Sequence, residues 1–269
     1  MKLEGRAAVI TGAAGGIGRA IALSLARRGC HLALADIDEA GLAESQRQAA
    51  ALGVRVSRHR LDVAVREDVA ALPAEVLDAH GRVDLLVNNA GVALGGYFDQ
   101  VRETDFDWVM EINFHGVVRM TRAFLPRLLD SDDARIVNLS SVFGLISPPG
   151  QCAYCASKFA VRGFSNALRH ELEATRVGVS VVHPGGVATA IARNARVSPG
   201  LSADEVRGRL ALAEKMLRMP PAQAGEIIVR GVEKRRARIL VGRDAVFISL
   251  LERLAPVHYW RVLARRIQP

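Results

Sequence analysis

Apolar and polar positions along the chain alternate between short, almost wholly apolar runs and longer amphipathic stretches. Residues 6–11, R-A-A-V-I-T, end in glycines and read as a strand buried in a parallel sheet. An apolar-periodic helix is predicted after the glycines, to about Arg28. H-L-A-L-A, from His31 to Ala35, predicts a second strand, and a helix to about Leu52 follows. Val54 to Leu61 reads as a third strand. The helix over 66–80 ends at Gly81, a natural C-cap. Residues 84–91, D-L-L-V-N-N-A-G, give a fourth strand and its turn, and residues 92–103 read as a loop. A long helix is predicted from about Phe106 to Leu129, with a fifth strand in A-R-I-V-N-L-S-S. The helix that carries Tyr154 and Lys158 runs to about Thr175. Val179 to Val182 is the sixth strand and R-I-L-V-G, 238–242, the seventh, reached through a helix opened by Pro220-Pro221. Beyond it, Phe247, Leu250, Leu251 and Leu254 recur at i, i+3, i+4 and i+7, an apolar helical face broken by Pro256.

Composition narrows the class. Of 269 residues, 50% are hydrophobic and 24% charged, an ordinary globular balance. A chain of this length buries most of its unfolded surface without disulfides or metals. One catalytic domain over 1–243 is expected, followed by a basic amphipathic extension over 244–269. Three cysteines argue against a secreted disulfide scaffold. Cys152 and Cys155 flank Tyr154 as C-x-x-C, but no second pair accompanies them, and no metal site is expected. The apolar run from Arg6 leaves no room for a leader before it, so a cytoplasmic protein is expected. The net charge of +8 is concentrated at one end: residues 230–269 hold ten Lys/Arg against three Asp/Glu. The body is nearly neutral, which argues against nucleic acid as a partner.

The candidate chemistry centres on Ser141 to Lys158. Tyr154 and Lys158, four apart, share a helix face. An ammonium beside a phenol favours the phenolate and draws the phenol pKa down from ~10, towards useful proton transfer near neutrality. Ser141, from the preceding strand end, is placed to bond the same substrate oxygen. The turn T-G-A-A-G-G-I-G supplies Gly12 for a tight backbone, while Gly16 and Gly18 allow close approach of a pyrophosphate and of the helix. The helix N-terminus then faces the phosphates. Asp36 stands at the end of the second strand, where a carboxylate accepts hydrogen bonds from ribose hydroxyls and repels a 2′-phosphate. Ala13, Ala14 and Ile37 offer no cation there, so NAD is favoured over NADP. Asp36 or Asp38 is also placed to cap the next helix.

Tyr154, Lys158 and Ser141 at these spacings, with T-G-x-x-x-G-I-G, N-N-A-G, Asn113 and P-G-G-V-x-T, resemble the short-chain dehydrogenase/reductase family over about residues 5–190 and 220–242. The resemblance implies a Rossmann-type, doubly wound α/β fold. Its seven-stranded parallel sheet would have the order 3-2-1-4-5-6-7, with helices on both faces. It implies that Gly12, Gly16, Ile17 and Gly18 hold the cofactor phosphates, with Asp36 and Ile37 at the adenosine. Asp62 and Val63 would sit by the adenine, and Asn89, Ala90 and Gly91 would line the cofactor and brace the sheet. Pro184, Gly185, Val187 and Thr189 would approach the nicotinamide, together with Tyr154 and Lys158. Asn113 would distort its helix and hold a water linking Lys158 to solvent. Residues 190–219, including Pro199, would form a lid.

The implied reaction is hydride transfer between NAD(H) and a secondary alcohol/ketone pair. Phe143, Leu145, Ile146, Leu94, Tyr97 and apolar lid residues point to a bulky apolar small-molecule substrate: steroid-like, lipid-derived or aromatic. Two alternatives are a 3-oxoacyl-carrier-protein-type reductase and a non-catalytic NAD-binding scaffold. A homo-oligomer, dimer or tetramer, is implied by the family. The tail, with Tyr259, Trp260, Val262 and Leu263 among Arg261, Arg265 and Arg266, has three readings: packing on a sister subunit, capping the pocket, or lying on a membrane surface.

Overall fold

The computed structural model describes residues 1–198 and 200–267. Seven strands make one sheet: β1 (Ala7–Thr11), β2 (His31–Asp36), β3 (Val56–Arg60), β4 (Leu85–Asn88), β5 (Ala134–Leu139), β6 (Val177–Pro184) and β7 (Arg238–Val241). Their order is β3-β2-β1-β4-β5-β6-β7, with every neighbouring pair parallel. Parallel strands need crossovers, and helices provide them. The expected doubly wound sheet is therefore present, in the expected order.

Alternation along the strands feeds two cores. Ile10 points into one with Leu32 and Leu34, under Ile21 and Leu25 of α1 (Gly16–Ala26), Leu42 of α2 (Glu39–Ala50) and Ile228 and Val232 of α8 (Pro221–Glu233). Its neighbour Val9 points to the opposite face, where Leu86 and Ile136 meet Val76 of α3 (Arg66–His80), Phe124 and Leu128 of α5 (Gly116–Leu129) and Leu168 of α6 (Cys152–Glu171). Both faces of the sheet are covered, which is why its strands read as continuous apolar runs.

Two boundaries differ from the sequence reading. The long helix starts at α4 (Glu103–Met110), ahead of Phe106, and passes through a π turn at Glu111–His115 into α5. Its polar first turn is held by Asp105, which accepts hydrogen bonds from Arg102 at 2.7 Å and from Arg196 at 3.1 Å. Apolar periodicity carries no trace of that ion pairing. The segment read as a loop over 92–103 contains a two-residue strand, Leu94–Gly95, paired in parallel with Arg196–Val197. That partner, Arg196–Val197, lies a hundred residues away and is itself exposed.

After β6 comes α7 (Ala203–Met216), closed at its start by a capping box between Ser202 and Glu205. None of its described side chains is buried. The extension forms α9 (Arg243–Leu254) and α10 (Tyr259–Ile267). Val246, Leu250 and Leu254 of α9 face outward and exposed, whereas Leu263 of α10 is buried against the chain's own body. Pro199 of the expected lid and the last two residues of the extension, 268–269, lie outside the described residues, as do the side chains of Arg265 and Arg266. No helix among the described residues is long and apolar enough to cross a membrane.

Candidate active site

The C-terminal edge of the sheet gathers the sequence-predicted residues. Tyr154 and Lys158 lie in the first turns of α6, and Ser141 directly follows β5. Ser141 hydrogen-bonds the Tyr154 side chain. Its Oγ also accepts the Phe143 N–H at 3.1 Å. Lys158 is buried, with Nζ donating to the Leu139 carbonyl at 3.1 Å and standing 5.6 Å from the centre of the Tyr154 ring. Ser140 Oγ ties the strand end to the helix by donating to the Lys158 carbonyl at 2.9 Å. Phe143 meets the Tyr154 ring edge-on.

Electrostatics correct one expectation. Burial pushes the Tyr154 phenol up to about 12, and the Ser141 hydrogen bond only partly offsets it. Burial also pulls Lys158 down to about 8. The ammonium is engaged with the Leu139 carbonyl and does not bond the phenol oxygen, so desolvation of the phenolate dominates. In the free protein the phenol is thus an acid held ready, not a preformed phenolate.

Asn113 sits inside the π turn and is fully buried. Its Oδ1 accepts the Val92 N–H at 2.8 Å, while Nδ2 donates to the Val92 carbonyl at 3.0 Å and to Ser157 Oγ at 3.1 Å. Ser157 Oγ in turn donates to the Tyr154 carbonyl at 2.7 Å. The side chain is spent on cross-linking the loop after β4 to the Tyr154 helix. Gly91 completes the corner, because an added Cβ would stand 3.1 Å from Asn113 Oδ1 and 3.4 Å from Lys158 Nζ.

The glycine-rich turn is locked to β4. Asn89 Nδ2 donates to the Thr11 and Gly12 carbonyls, both at 3.0 Å, and the Asn89 and Ala90 N–H groups share Thr11 Oγ1. Gly12 has φ +66°, and a Cβ there would meet Asn89 and Ala90. A Cβ on Gly18 would strike the Gly12 carbonyl. Gly15 has open space beside it and caps α1 without any side chain, and no acid occupies the first turn. The leading N–H groups of α1, where Ile17 lies, therefore face a space that suits an anion. Thr189 stands across from this turn, 3.3 Å from where a Gly16 Cβ would be.

Asp36 Oδ2 accepts the Ala14 N–H at 2.9 Å and Oδ1 the Asp38 N–H at 3.1 Å. Asp38, not Asp36, caps α2, accepting from the Gly41 N–H at 3.0 Å. Ile37 is 62% exposed beside it. Asp62 bonds the Ala64 N–H at 2.9 Å, and Val63 packs on Gly116. At the other end, Pro184 closes β6, Gly185 lies against the Asp244 carboxylate, and Val187 is buried beside Met219.

Sequence reasoning missed two groups. Arg19 Nε donates to Ser45 Oγ at 2.8 Å, and its guanidinium reaches the Ala14 and Gly41 carbonyls, fastening the glycine turn to α2. Only its place directly after Gly18 marks it. Asp244 is the second, and nothing in its local sequence distinguishes it. His183, which directly precedes the P-G-G-V-x-T motif, is a buried structural histidine that donates from Nδ1 to the Ser141 carbonyl at 2.9 Å and steadies the serine's backbone. Of the expected pocket residues, Leu94, Leu145 and Ile146 are buried in the packing, whereas Phe143 is partly accessible and Tyr97 exposed. Cys152 is exposed and Cys155 buried, both as free thiols.

Comparisons with known proteins agree with this geometry. The family pattern described as short chain dehydrogenase matches residues 6–199. SadH of Mycobacterium tuberculosis, named as an oxidoreductase without a stated substrate, is 47% identical over 97% of this chain and 95% of its own. FabG of Thermotoga maritima, a 3-oxoacyl-[acyl-carrier-protein] reductase, is 35% identical over 70% of this chain and 77% of its own. A short-chain dehydrogenase/reductase of Burkholderia phymatum, crystallised with NAD, superposes with a TM-score of 0.87 at 34% identity, covering 94% of this chain and 95% of its own. Sequence pattern and superposition were free to disagree and do not: the chain belongs to the short-chain dehydrogenase family of oxidoreductases.

Proposed function

We propose that this protein transfers a hydride between NAD(H) and a secondary alcohol/ketone pair, with a bulky apolar substrate. The observation that carries the reading is the joining of Tyr154, Ser141 and Lys158 at the same sheet edge as the uncapped start of α1. Such an edge is where open α/β sheets take ligands. The chain's own groups fit a dinucleotide. Gly12, Gly16 and Gly18 keep the turn free of side chains, and the α1 N–H groups suit its pyrophosphate. The Asp36 carboxylate retains acceptor capacity for ribose hydroxyls while disfavouring a 2′-phosphate. The NAD complex of the Burkholderia relative supports this choice.

When bound, NAD(H) supplies or accepts the hydride. Ser141 holds the substrate oxygen next to the Tyr154 hydroxyl, and Tyr154 gives that oxygen a proton in reduction or removes one in oxidation. Lys158, buried and cationic at neutral pH, stabilises negative charge developing on the phenol oxygen. Asn113 keeps the Val92 loop and the Tyr154 helix in register. Phe143 against Tyr154, exposed Phe98, and Leu212 and Met216 of α7 support an apolar substrate side.

The test is NADH formation across a panel of small diols, aryl alcohols, hydroxy fatty esters and hydroxysteroids, run in parallel with NADP. The expected result is NAD-preferring activity on the bulky apolar members. Tyr154→Phe should lower it by roughly 10²–10⁴-fold with NADH binding intact. Turnover within a few-fold of wild type in Tyr154→Phe would sink the assignment. The FabG relative favours a second reading, reduction of a carrier-bound 3-oxoacyl group. Activity only on acyl-carrier-protein thioesters would select it.

A further inference from the structure

The C-terminal extension touches both sides of the candidate active site. Asp244, in the first turn of α9, accepts the Gly186 N–H at 2.7 Å, and its carboxylate fills the space a Cβ would take at Gly185. The Gly186 carbonyl is also held, accepting the Arg218 N–H at 3.0 Å and the Met219 N–H at 2.9 Å where the lid segment returns to the body. Gly186 is thus a joint between the lid's exit and the extension. Fifteen residues on, the Tyr259 hydroxyl accepts the Ser147 N–H at 3.0 Å, with Leu263 buried one turn later to fix α10 in place. Between these anchors α9 runs beside the short turn Val142–Gly144, directly after Ser141.

We propose that Asp244 and Tyr259 are positioning residues, which set the two loops that carry the reaction. Asp244 fixes the 184–189 loop, and Tyr259 fixes the 141–151 loop that joins Ser141 to Tyr154. The inference rests on the hydride-transfer reading above. A loop containing Gly185 and Gly186 has wide conformational freedom. One accepted N–H removes much of it, which matters where a misplaced group costs rate. The two anchors act on different loops, so their loss has different consequences. Loss of Asp244 weakens the cofactor site, and loss of Tyr259 disturbs turnover while leaving the cofactor site as it was.

The experiment compares wild type, Asp244→Ala, Asp244→Asn and Tyr259→Phe by NADH fluorescence titration and by steady-state kinetics on the best panel alcohol. Asp244→Ala should raise the NADH Kd about fivefold, the effect of one lost hydrogen bond. Asp244→Asn keeps an oxygen acceptor for Gly186 and should return to within about twofold of wild type. Tyr259→Phe should leave the NADH Kd within about twofold and lower kcat/KM at least about threefold. A general loss of stability would move both readouts together and would not be rescued by asparagine. If Asp244→Ala does not fold, Asp244→Ser carries the same comparison. Unchanged NADH binding in Asp244→Ala, equal impairment of Asp244→Asn, or wild-type kinetics in Tyr259→Phe overturns the inference while the parent reading stands. A wild type that binds no NADH overturns the parent reading and this inference with it.

Discussion

The two flanks of the proposed active site are built by different means. On the cofactor flank, the glycine turn, Asn89, Thr11 and Arg19 form a closed hydrogen-bond lattice, packed so tightly that Gly18 lies against the Gly12 carbonyl. On the proposed substrate flank, α7 has a capping box at its start, but no described side chain of it is buried. One flank is specified by packing and the other by local helix chemistry. A nucleotide is an invariant ligand that rewards a rigid cradle, whereas the substrate side has to admit and release its ligand.

The same substitution on the two flanks breaks or sharpens that contrast. Gly18→Ala drives a Cβ into backbone that cannot move aside. It should cost roughly 1–3 kcal/mol of stability and weaken NADH binding at least about tenfold, measured by urea unfolding and fluorescence titration. A protein as stable as wild type would show that the turn is looser than its packing implies. An intermediate effect is expected from acid. Burial pulls both His80 and His183 down to about 4 from 6.5. Between these values the unfolded state binds more protons, so stability is present above pH 6.5 and is lost as pH falls towards 4. Thermal melts should show a loss on the order of 1–2 kcal/mol per histidine by pH 5. The double variant His80→Gln/His183→Gln should flatten that limb, and an unchanged slope would assign the acid sensitivity elsewhere. Smallest and opposite in sign, Gly208→Ala in α7 meets nothing within 4 Å. It should stabilise by roughly 0.5–1 kcal/mol. Destabilisation in the same urea series would mean that α7 packs against something in solution.

Much of the cofactor flank was legible because its signals are local. Buried strands are apolar runs, and the phosphate turn must be glycine. A four-residue interval puts Tyr154 and Lys158 on one helix face whatever surrounds them. The missed features depend on distant partners. The pairing of Leu94–Gly95 with Arg196–Val197 joins segments a hundred residues apart, and the early start of α4 rests on an ion pair from Arg196. Leu145 and Ile146 are apolar in sequence whether they line a pocket or fill a core, and only packing decides that they are buried. Asparagine is unfavourable inside a helix, which sets Asn113 apart in the sequence, but its partners, Val92 and Ser157, lie on other elements.

The sequence by itself determined the sheet's strands, the glycine turn, the carboxylate at the end of β2 and the four-residue spacing of Tyr154 and Lys158. Those follow from periodicity and steric necessity, which act over a few residues. Tertiary structure alone decided that the Tyr154 phenol is pushed up, because desolvation by surrounding elements outweighs the Ser141 hydrogen bond. It also decided the place of the extension. Its amphipathic pattern suits packing on a sister subunit or over the pocket, or contact with a membrane surface. The Ser147–Tyr259 and Gly186–Asp244 hydrogen bonds and the burial of Leu263 bring it onto the body, while the α9 face bearing Leu250 and the 82%-exposed Leu254 stays outward.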